Sequence, residues 1–434
     1  MTITTTTIIC ASILLLTALL APLANPFFRH RKIFRLLKSN RMPMQEQASD
    51  MSAHLAETDL TNDGERQTNG NEPLPDMQPL TVLITAHDDA AALERNLPAI
   101  LNQDYPAGFR VIVVADRTDS ETVDVLKRFT EGKQQQNNDV QTVDEGVKLF
   151  SVNHQLYYTL LPASSRYISR KKLAVTLGVK AAHTEWILLT DPQCHPASCR
   201  WLQAMASGIG TETTLVIGYT HYDDTTPASR RFERLHTAFY LMREDLVATA
   251  YRTNGSNLMF RKSMFMQGEG YRGNLELIRG EYDFLVNKYA TPGQTRLVLN
   301  PDAWLTEDTP TATSWRSKHL FYLATRRLLK RSHSHRLLFC LDQIVLHLQL
   351  LLLLAALTFS ILTTQWIIAG AASLSLLLTV ILNDVIGARA IAPFDSNIPS
   401  WRIYFSRLAI VWRNLAYAVR YLRADKLDFT THKQ

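Results

Sequence analysis

Apolar positions along the chain fall into three patterns. The first is an apolar run from Ile8 to Leu23, and Met1 to Ala24 just reaches the length a helix needs to cross a bilayer. The second is a block from Leu337 to Leu382, long enough for two crossings with a turn near Thr363–Gln365. The third fills the middle. Short β-rich runs (Leu80–Ala86, Phe109–Ala115, Val147–Asn153 and Trp186–Thr190) alternate with segments of helical spacing (Ala91–Leu101, Ser120–Phe129 and Lys171–Ala182). Near-continuous apolar strands are buried on both faces, and helices between them imply parallel crossovers. The pattern therefore predicts an α/β class with a doubly wound, mostly parallel sheet. Near the end, Tyr404, Leu408, Val411, Trp412, Leu415, Ala418 and Leu422 recur at helical spacing among arginines. Such a helix suits either an anionic leaflet or packing on the central domain.

Charge placement refines this picture. Arg29, Arg31, Lys32, Arg35, Lys38 and Arg41 follow the first apolar run with no acid among them. A secretory signal would carry its basic residues before the run, so an uncleaved anchor is expected, with the N-terminus outside and the rest in the cytoplasm. Arg326, Arg327, Lys330, Arg331 and Arg336 precede the second block, and Arg389 and Arg402 follow it. That predicts a hairpin returning to the cytoplasm, with Asp342 and Asp384 reaching the interface and His347 facing a partner helix. The polar stretch 42–78 is short of aromatics and reads as a linker. The expected organisation is an anchor over 1–25, a basic segment and linker over 26–78, and a central α/β domain over 79–335. A transmembrane hairpin over 336–385 and an amphipathic cytoplasmic tail over 386–434 complete it.

Composition excludes several classes. Hydrophobic residues are 46% of the chain, too many for a wholly disordered protein. The net charge of +6 is too small to argue for nucleic acid. Four cysteines in 434 residues make no disulfide scaffold. There is no Walker A or G-x-S-x-G segment, and Cys194, His195 and Cys199 lack zinc spacing.

Ligands of open α/β sheets bind at the carboxyl ends of the strands. Polar residues gather there: His87, Asp88 and Asp89 after the first strand, Asp116 and Asp119 after the second, and Asp191 with Gln193 after the fourth. A single such Asp is usually a helix cap, but three acidic strand ends at one rim point to a metal, a donor from a nucleobase edge, or both.

The order of these segments resembles a family 2 glycosyltransferase with the GT-A fold, of the membrane-anchored bacterial type, over roughly Leu80 to Arg327. Thr85-Ala86-His87-Asp88-Asp89, the Gln103-Asp104-Tyr105-Pro106 segment, and Asp116 with Asp119 look like that family's first βαβ unit. RKKLAVTLGVKAAHTEWILLTDPQCHP looks like its basic helix start followed by a D-x-D strand end, GSNLMFRKSMF like its acceptor-side segment, and RGEYDFLVNKYA like its acidic motif. The resemblance implies nucleotide-sugar contacts from Ala86, Asp88, Asp116, Asp119, Lys171 and Asp191, with Asp116 accepting from a nucleobase N–H. It implies a divalent cation (Mg or Mn) on Asp191 and Gln193, a catalytic base at Asp283 with Glu281 second, and an acceptor side at Asn257 and Trp315.

Three departures stand out. Gln193 takes the place of the second acid of D-x-D, Tyr282 stands between Glu281 and Asp283 where the acidic motif has an Asp, and Trp315-Arg316-Ser317-Lys318-His319 lacks the Gln of a Q-x-x-R-W segment. The function implied is a bacterial inner-membrane, multi-pass glycosyltransferase with a cytoplasmic catalytic domain. It would move a sugar, with inversion, to a lipid-linked or polysaccharide acceptor, and would bind no nucleic acid. The alternative is a catalytically weakened scaffold subunit of a polysaccharide assembly complex.

Overall fold

The computed structural model describes residues 5–29, 31–39, 77–131, 140–143, 147–151, 155–162, 169–253 and 255–430. The expected linker, 42–78, lies outside the described residues except for its last two positions. The chain forms two compact units. A sheet unit comprises Ile33–Thr220, Gly255–Asp308 and Phe429–Gln434, and a helical unit comprises Met1–Lys32, His221–Asn254 and Thr309–Asp428.

Helices α1 (Thr5–Leu20) and α2 (Arg31–Ser39) come first. Then follow β1 (Leu80–Ala86), α3 (Ala90–Leu101), β2 (Phe109–Asp116), α4 (Ser120–Glu131), β3 (Val140–Val143), β4 (Val147–Ser151) and β5 (Leu156–Leu161). Next are α5 (Arg170–Ala181), β6 (Trp186–Thr190), β7 (Cys194–Pro196), α6 (Trp201–Ala206), β8 (Leu215–Gly218), β9 (Thr220–Tyr222) and α7 (Ala228–Val247). The sheet unit resumes with β10 (Leu258–Arg261), α8 (Lys262–Gln267), α9 (Glu281–Tyr289), β11 (Thr295–Val298) and β12 (Leu305–Glu307). Four helices follow: α10 (Ala312–Thr325), α11 (His333–Leu362), α12 (Trp366–Ile391) and α13 (Ile403–Arg423).

The nine-stranded sheet runs β11-β8-β10-β6-β1-β2-β5-β4-β3. Its centre, β6-β1-β2-β5, is parallel, as are β11 and β8, and β10 is inserted antiparallel between β6 and β8. Side chains alternate across a strand, and β1 shows both faces in use. Leu80, Val82, Ile84 and Ala86 join Leu93 and Leu97 of α3 and Trp201 of α6 in one core. Leu83 points the other way, toward α5. A Cβ at Gly178 of α5 would sit 2.1 Å from a Leu83 methyl, so glycine there is what lets α5 lie close against the sheet. This is the doubly wound α/β architecture expected from the apolar pattern.

One strand assignment differs. Val147–Asn153 reads as the third parallel strand, yet β4 is antiparallel to β3 and β5. The parallel partner of β2 is β5, registered from Val111↔Leu156 to Asp116↔Leu161. Two adjacent β-rich runs separated by a short break carry no signal of which one crosses over, and only pairing resolves it.

In the helical unit, Thr5–Ala24, His333–Leu362 and Trp366–Ile391 are long and apolar enough to cross a membrane. The turn between the last two falls at Thr363–Gln365. Asp342 does not reach an interface: it is buried, accepts from Arg407 Nη2 at 2.5 Å, and takes the Tyr240 hydroxyl at 2.9 Å. Arg407 Nη1 also donates to Asn383. Asp384 accepts the Tyr404 N–H, and His347 Nδ1 lies 2.8 Å from its own helix's Gln343 carbonyl. Helix α13 buries Ile403, Tyr404, Arg407 and Ile410, and leaves Trp412, Leu415 and Leu422 exposed. One face of this helix packs on its neighbours and the other stays bare and apolar.

Candidate active site

Parallel pairing sets the rim. Ala86 is registered with Ala115 and Ile84 with Thr190, which brings the residues following β1, β2 and β6 to one sheet edge. Ala86 itself is buried and offers only its backbone. Two groups of side chains meet at this edge, both reached from the first turn of α5.

The first group centres on Asp116, which is 1% exposed. Its Oδ1 accepts from the Thr118 N–H at 3.1 Å and the Thr118 hydroxyl at 2.8 Å, and its Oδ2 pairs with Arg170. His87 Nδ1 lies 3.4 Å from that same Oδ2. Burial works against the Asp116 carboxylate, but the Thr118 donors and the Arg170 guanidinium outweigh it and hold its pKa below the ordinary range. Asp119 accepts the Asp88 N–H at 2.8 Å and the Thr122 N–H at 3.1 Å, and these bonds likewise overcome its burial and lower its pKa. Asp88 is left-handed, with φ 58°, so Asp119 pins a turn that an L-residue adopts at a cost.

The second group centres on Asp191. Its Oδ1 accepts from Lys171 Nζ at 2.7 Å and from the Tyr282 hydroxyl at 3.0 Å, and its Oδ2 takes the Ser256 hydroxyl. Lys171 Nζ also pairs with Glu281 Oε1 at 2.8 Å. Burial disfavours the Lys171 ammonium, yet Asp191 and Glu281 outweigh it and raise its pKa. Burial would likewise favour a neutral Glu281, but Lys171 dominates and lowers it, so Glu281 is an anion at neutral pH. Burial, with Asp191 beside it, pushes the Tyr282 phenol far up, which keeps it a donor.

Local sequence explains how these groups arrive. Ser169 caps α5, accepting the Lys172 N–H, and the next two residues separate: Arg170 turns to Asp116 and Lys171 to Asp191. Lys172 is buried and donates to the carbonyls of Asn274 and Leu277, both at 2.6 Å, which holds the segment leading into α9. Burial pulls its pKa down to about 8. Gly280, with φ 95°, starts α9 in a left-handed conformation that suits glycine, and Glu281 follows in the first turn.

Of the residues expected from the sequence, Lys171, Asp191 and Glu281 come together in direct contact. Gln193 is one step removed: its amide donates to Asp89, whose burial raises its pKa. Asp89 holds the N-cap position of α3 without a side-chain cap bond. Asp283 is half-buried two residues beyond Glu281, and positions i and i+2 on a helix do not share a face. Asn257 is fully buried: its amide donates to the carbonyls of Tyr219 and Ala303, and its oxygen accepts from Trp201 Nε1. Trp315 belongs to the helical unit, where it donates to the Tyr417 hydroxyl at 2.9 Å. Three site residues went unselected: Arg170, Ser256 and Tyr282. Each sits beside a selected residue, so adjacency within the motif was the available signal.

The implied cation can be tested against these donors. Among the described residues no group of three or more His, Cys, Asp and Glu side chains could hold a metal ion. A hard cation takes carboxylate oxygens. Here both Asp191 oxygens are engaged, one by an ammonium, and Gln193 is bonded to Asp89. As arranged, the donor set does not fit a divalent cation.

No family model matches the chain, and no curated protein matches it. Among solved structures, a mannosyltransferase from Pyrobaculum calidifontis, solved in complex with GDP-Man and Mn²⁺, is 16% identical with a TM-score of 0.46, over 86% of this chain and 94% of that one. S. aureus TarS is 15% identical with a TM-score of 0.37, over 63% of this chain and 43% of that one.

Proposed function

We propose that this chain transfers a glycosyl group from a nucleotide-sugar donor to an acceptor hydroxyl at the carboxyl ends of the parallel strands. The observation that carries the reading is the contact among Lys171, Asp191 and Glu281 at a rim that also holds Arg170, Asp116 and the Asp119-pinned turn. The nucleoside lies against the Ala86–Asp89 turn, and Asp116 positions Arg170. The diphosphate meets the first turn of α5, where a helix N-terminus and two basic residues favour an anion.

Glu281 serves as the base, favoured over Asp283 because it faces Lys171 and is ionised at neutral pH. The acceptor oxygen attacks the anomeric carbon and a C–O bond forms. The bond from that carbon to the phosphate oxygen breaks, its electron pair leaves with the nucleoside diphosphate, and the hydroxyl proton passes to Glu281. Attack opposite the leaving group inverts the anomeric configuration.

The acceptor is lipid-linked or a growing polysaccharide, and the protein sits in a bacterial inner membrane with the sheet unit on the cytoplasmic side. The three long apolar helices and their basic flanks support this placement. The test is incorporation of labelled sugar into membrane lipid or polymer across a donor panel, with Glu281→Gln as control. Incorporation lost in the control is expected. No incorporation from any donor would overturn the reading in favour of a scaffold subunit.

A further inference from the structure

Two departures from the glycosyltransferase pattern, Gln193 and Tyr282, look unrelated in the sequence, being 89 positions apart. In the sheet unit both serve the surroundings of Asp191. Tyr282, standing where an acid is expected, donates its hydroxyl to Asp191 Oδ1. Gln193, also standing for an acid, donates its amide to Asp89. Each replaces a negative group with a neutral donor.

Meanwhile a positive group occupies the front of Asp191. Lys171 Nζ is 2.7 Å from Asp191 and 2.8 Å from Glu281, with its ammonium 5.5 Å from the centre of the Tyr282 ring. Ser256 takes the remaining Asp191 oxygen. A carboxylate that already accepts from an ammonium and two hydroxyls, with both oxygens engaged, is a weak ligand for a hard cation, and the neighbouring amide is a poorer one still. Lysine carries three N–H donors, of which these carboxylates take two. A third of the Lys171 side chain remains exposed, so it is held in place at a position that solvent reaches.

On the reading that this rim binds a nucleotide-sugar, we infer that Lys171 takes the role of the divalent cation: it neutralises the diphosphate of the donor, and the site binds its nucleotide without metal. Asp191 is then a positioning residue that fixes the ammonium, with Tyr282 and Ser256 fixing Asp191. Charge on the departing nucleoside diphosphate is met by Lys171 and by Arg170 beside it on α5.

The test uses the full chain in detergent micelles. UDP, GDP, CDP and dTDP are titrated calorimetrically in excess EDTA and again in excess Mn²⁺. One nucleotide is expected to bind in EDTA, with Mn²⁺ changing its affinity by less than about threefold, well under the loss of one charged hydrogen bond. Lys171→Met should weaken that metal-free binding by about tenfold or more, and Lys171→Arg, which keeps the charge, should restore most of it. In a second measurement, Mn²⁺ alone is added to the protein and followed by electron paramagnetic resonance, and the free-ion signal should persist. Tightening by Mn²⁺ of about tenfold or more would overturn the inference, as would Mn²⁺ uptake that Asp191→Asn abolishes. Should Lys171→Met misfold, the EDTA and Mn²⁺ comparison on the unaltered chain still decides. Failure of every nucleotide to bind folded protein in either buffer is a different result: it removes the transferase reading, and this inference with it.

Discussion

The two units each contain a carboxylate tied to a cation and a tyrosine hydroxyl, and they use it differently. In the helical unit, Asp342 takes Arg407 and Tyr240, and both charged side chains are at most 2% exposed. In the sheet unit, Asp191 takes Lys171 and Tyr282, and the lysine is one-third exposed. The choice of cation matches. Arginine's planar fork divides between Asp342 and Asn383 and leaves a closed internal network. Lysine's compact ammonium joins two carboxylates while a third of its side chain stays exposed. A carboxylate with a cation and a tyrosine therefore makes a fastener in one place and a candidate reaction centre in the other. Exposure, more than chemistry, separates them.

The largest effect should come from breaking the closed pair. Arg407→Ala strands a buried carboxylate and should cost about 3–5 kcal/mol, read as a large fall in thermal midpoint or in folded yield. If it costs no more than a surface ion pair, the contrast drawn between the units fails. Glu281→Gln should cut transfer about 10²–10⁴-fold because it removes the proton acceptor, while nucleotide binding persists because Asp191 still holds Lys171. Equal loss in Asp283→Asn, with Glu281→Gln active, would move the base by two residues.

A pH profile sharpens the comparison further. Lys171 depresses the Glu281 pKa against the effect of burial, so the anion persists as pH falls through neutrality and is lost only at more acidic pH. The transfer rate should therefore be flat near neutral pH and fall on acidification. In Lys171→Met burial loses its main opponent, and the acid limb should move to higher pH. An unmoved limb would show that Lys171 does not act on this carboxylate.

Asp119→Ala removes the acceptor of the Asp88 and Thr122 N–H groups and should cost about 1–3 kcal/mol in denaturant unfolding. The smallest effect is expected at Asp88 itself, where glycine suits the left-handed backbone and Asp88→Gly should alter stability by less than about 1 kcal/mol.

Much of the sheet unit was legible in one dimension because its signals are local. Trp186–Thr190 reads as a strand from four apolar residues and a threonine and is one, and the helix read as Lys171–Ala182 runs from Arg170 to Ala181. A parallel sheet also dictates that strand ends share an edge, so Asp116 and Asp191 could be placed on one rim without coordinates. Partner choice was beyond reach. Nothing in Tyr282 announces a bond to Asp191, 91 positions away, and Ser256 was passed over for Asn257, whose amide turns into the core. Asp342 reads as a snorkelling acid because Arg407, its partner, is 65 positions distant.

Periodicity, charge flanks and strand-end acids thus established the class of fold, the three apolar helices and the neighbourhood of the site, since each depends on residues within a few turns of one another. Which carboxylate meets which cation, and which of those pairs stays open to solvent, emerged only on folding. Side-chain partners at these sites are separated by tens of residues, and burial is a property of packing that no short window of sequence contains.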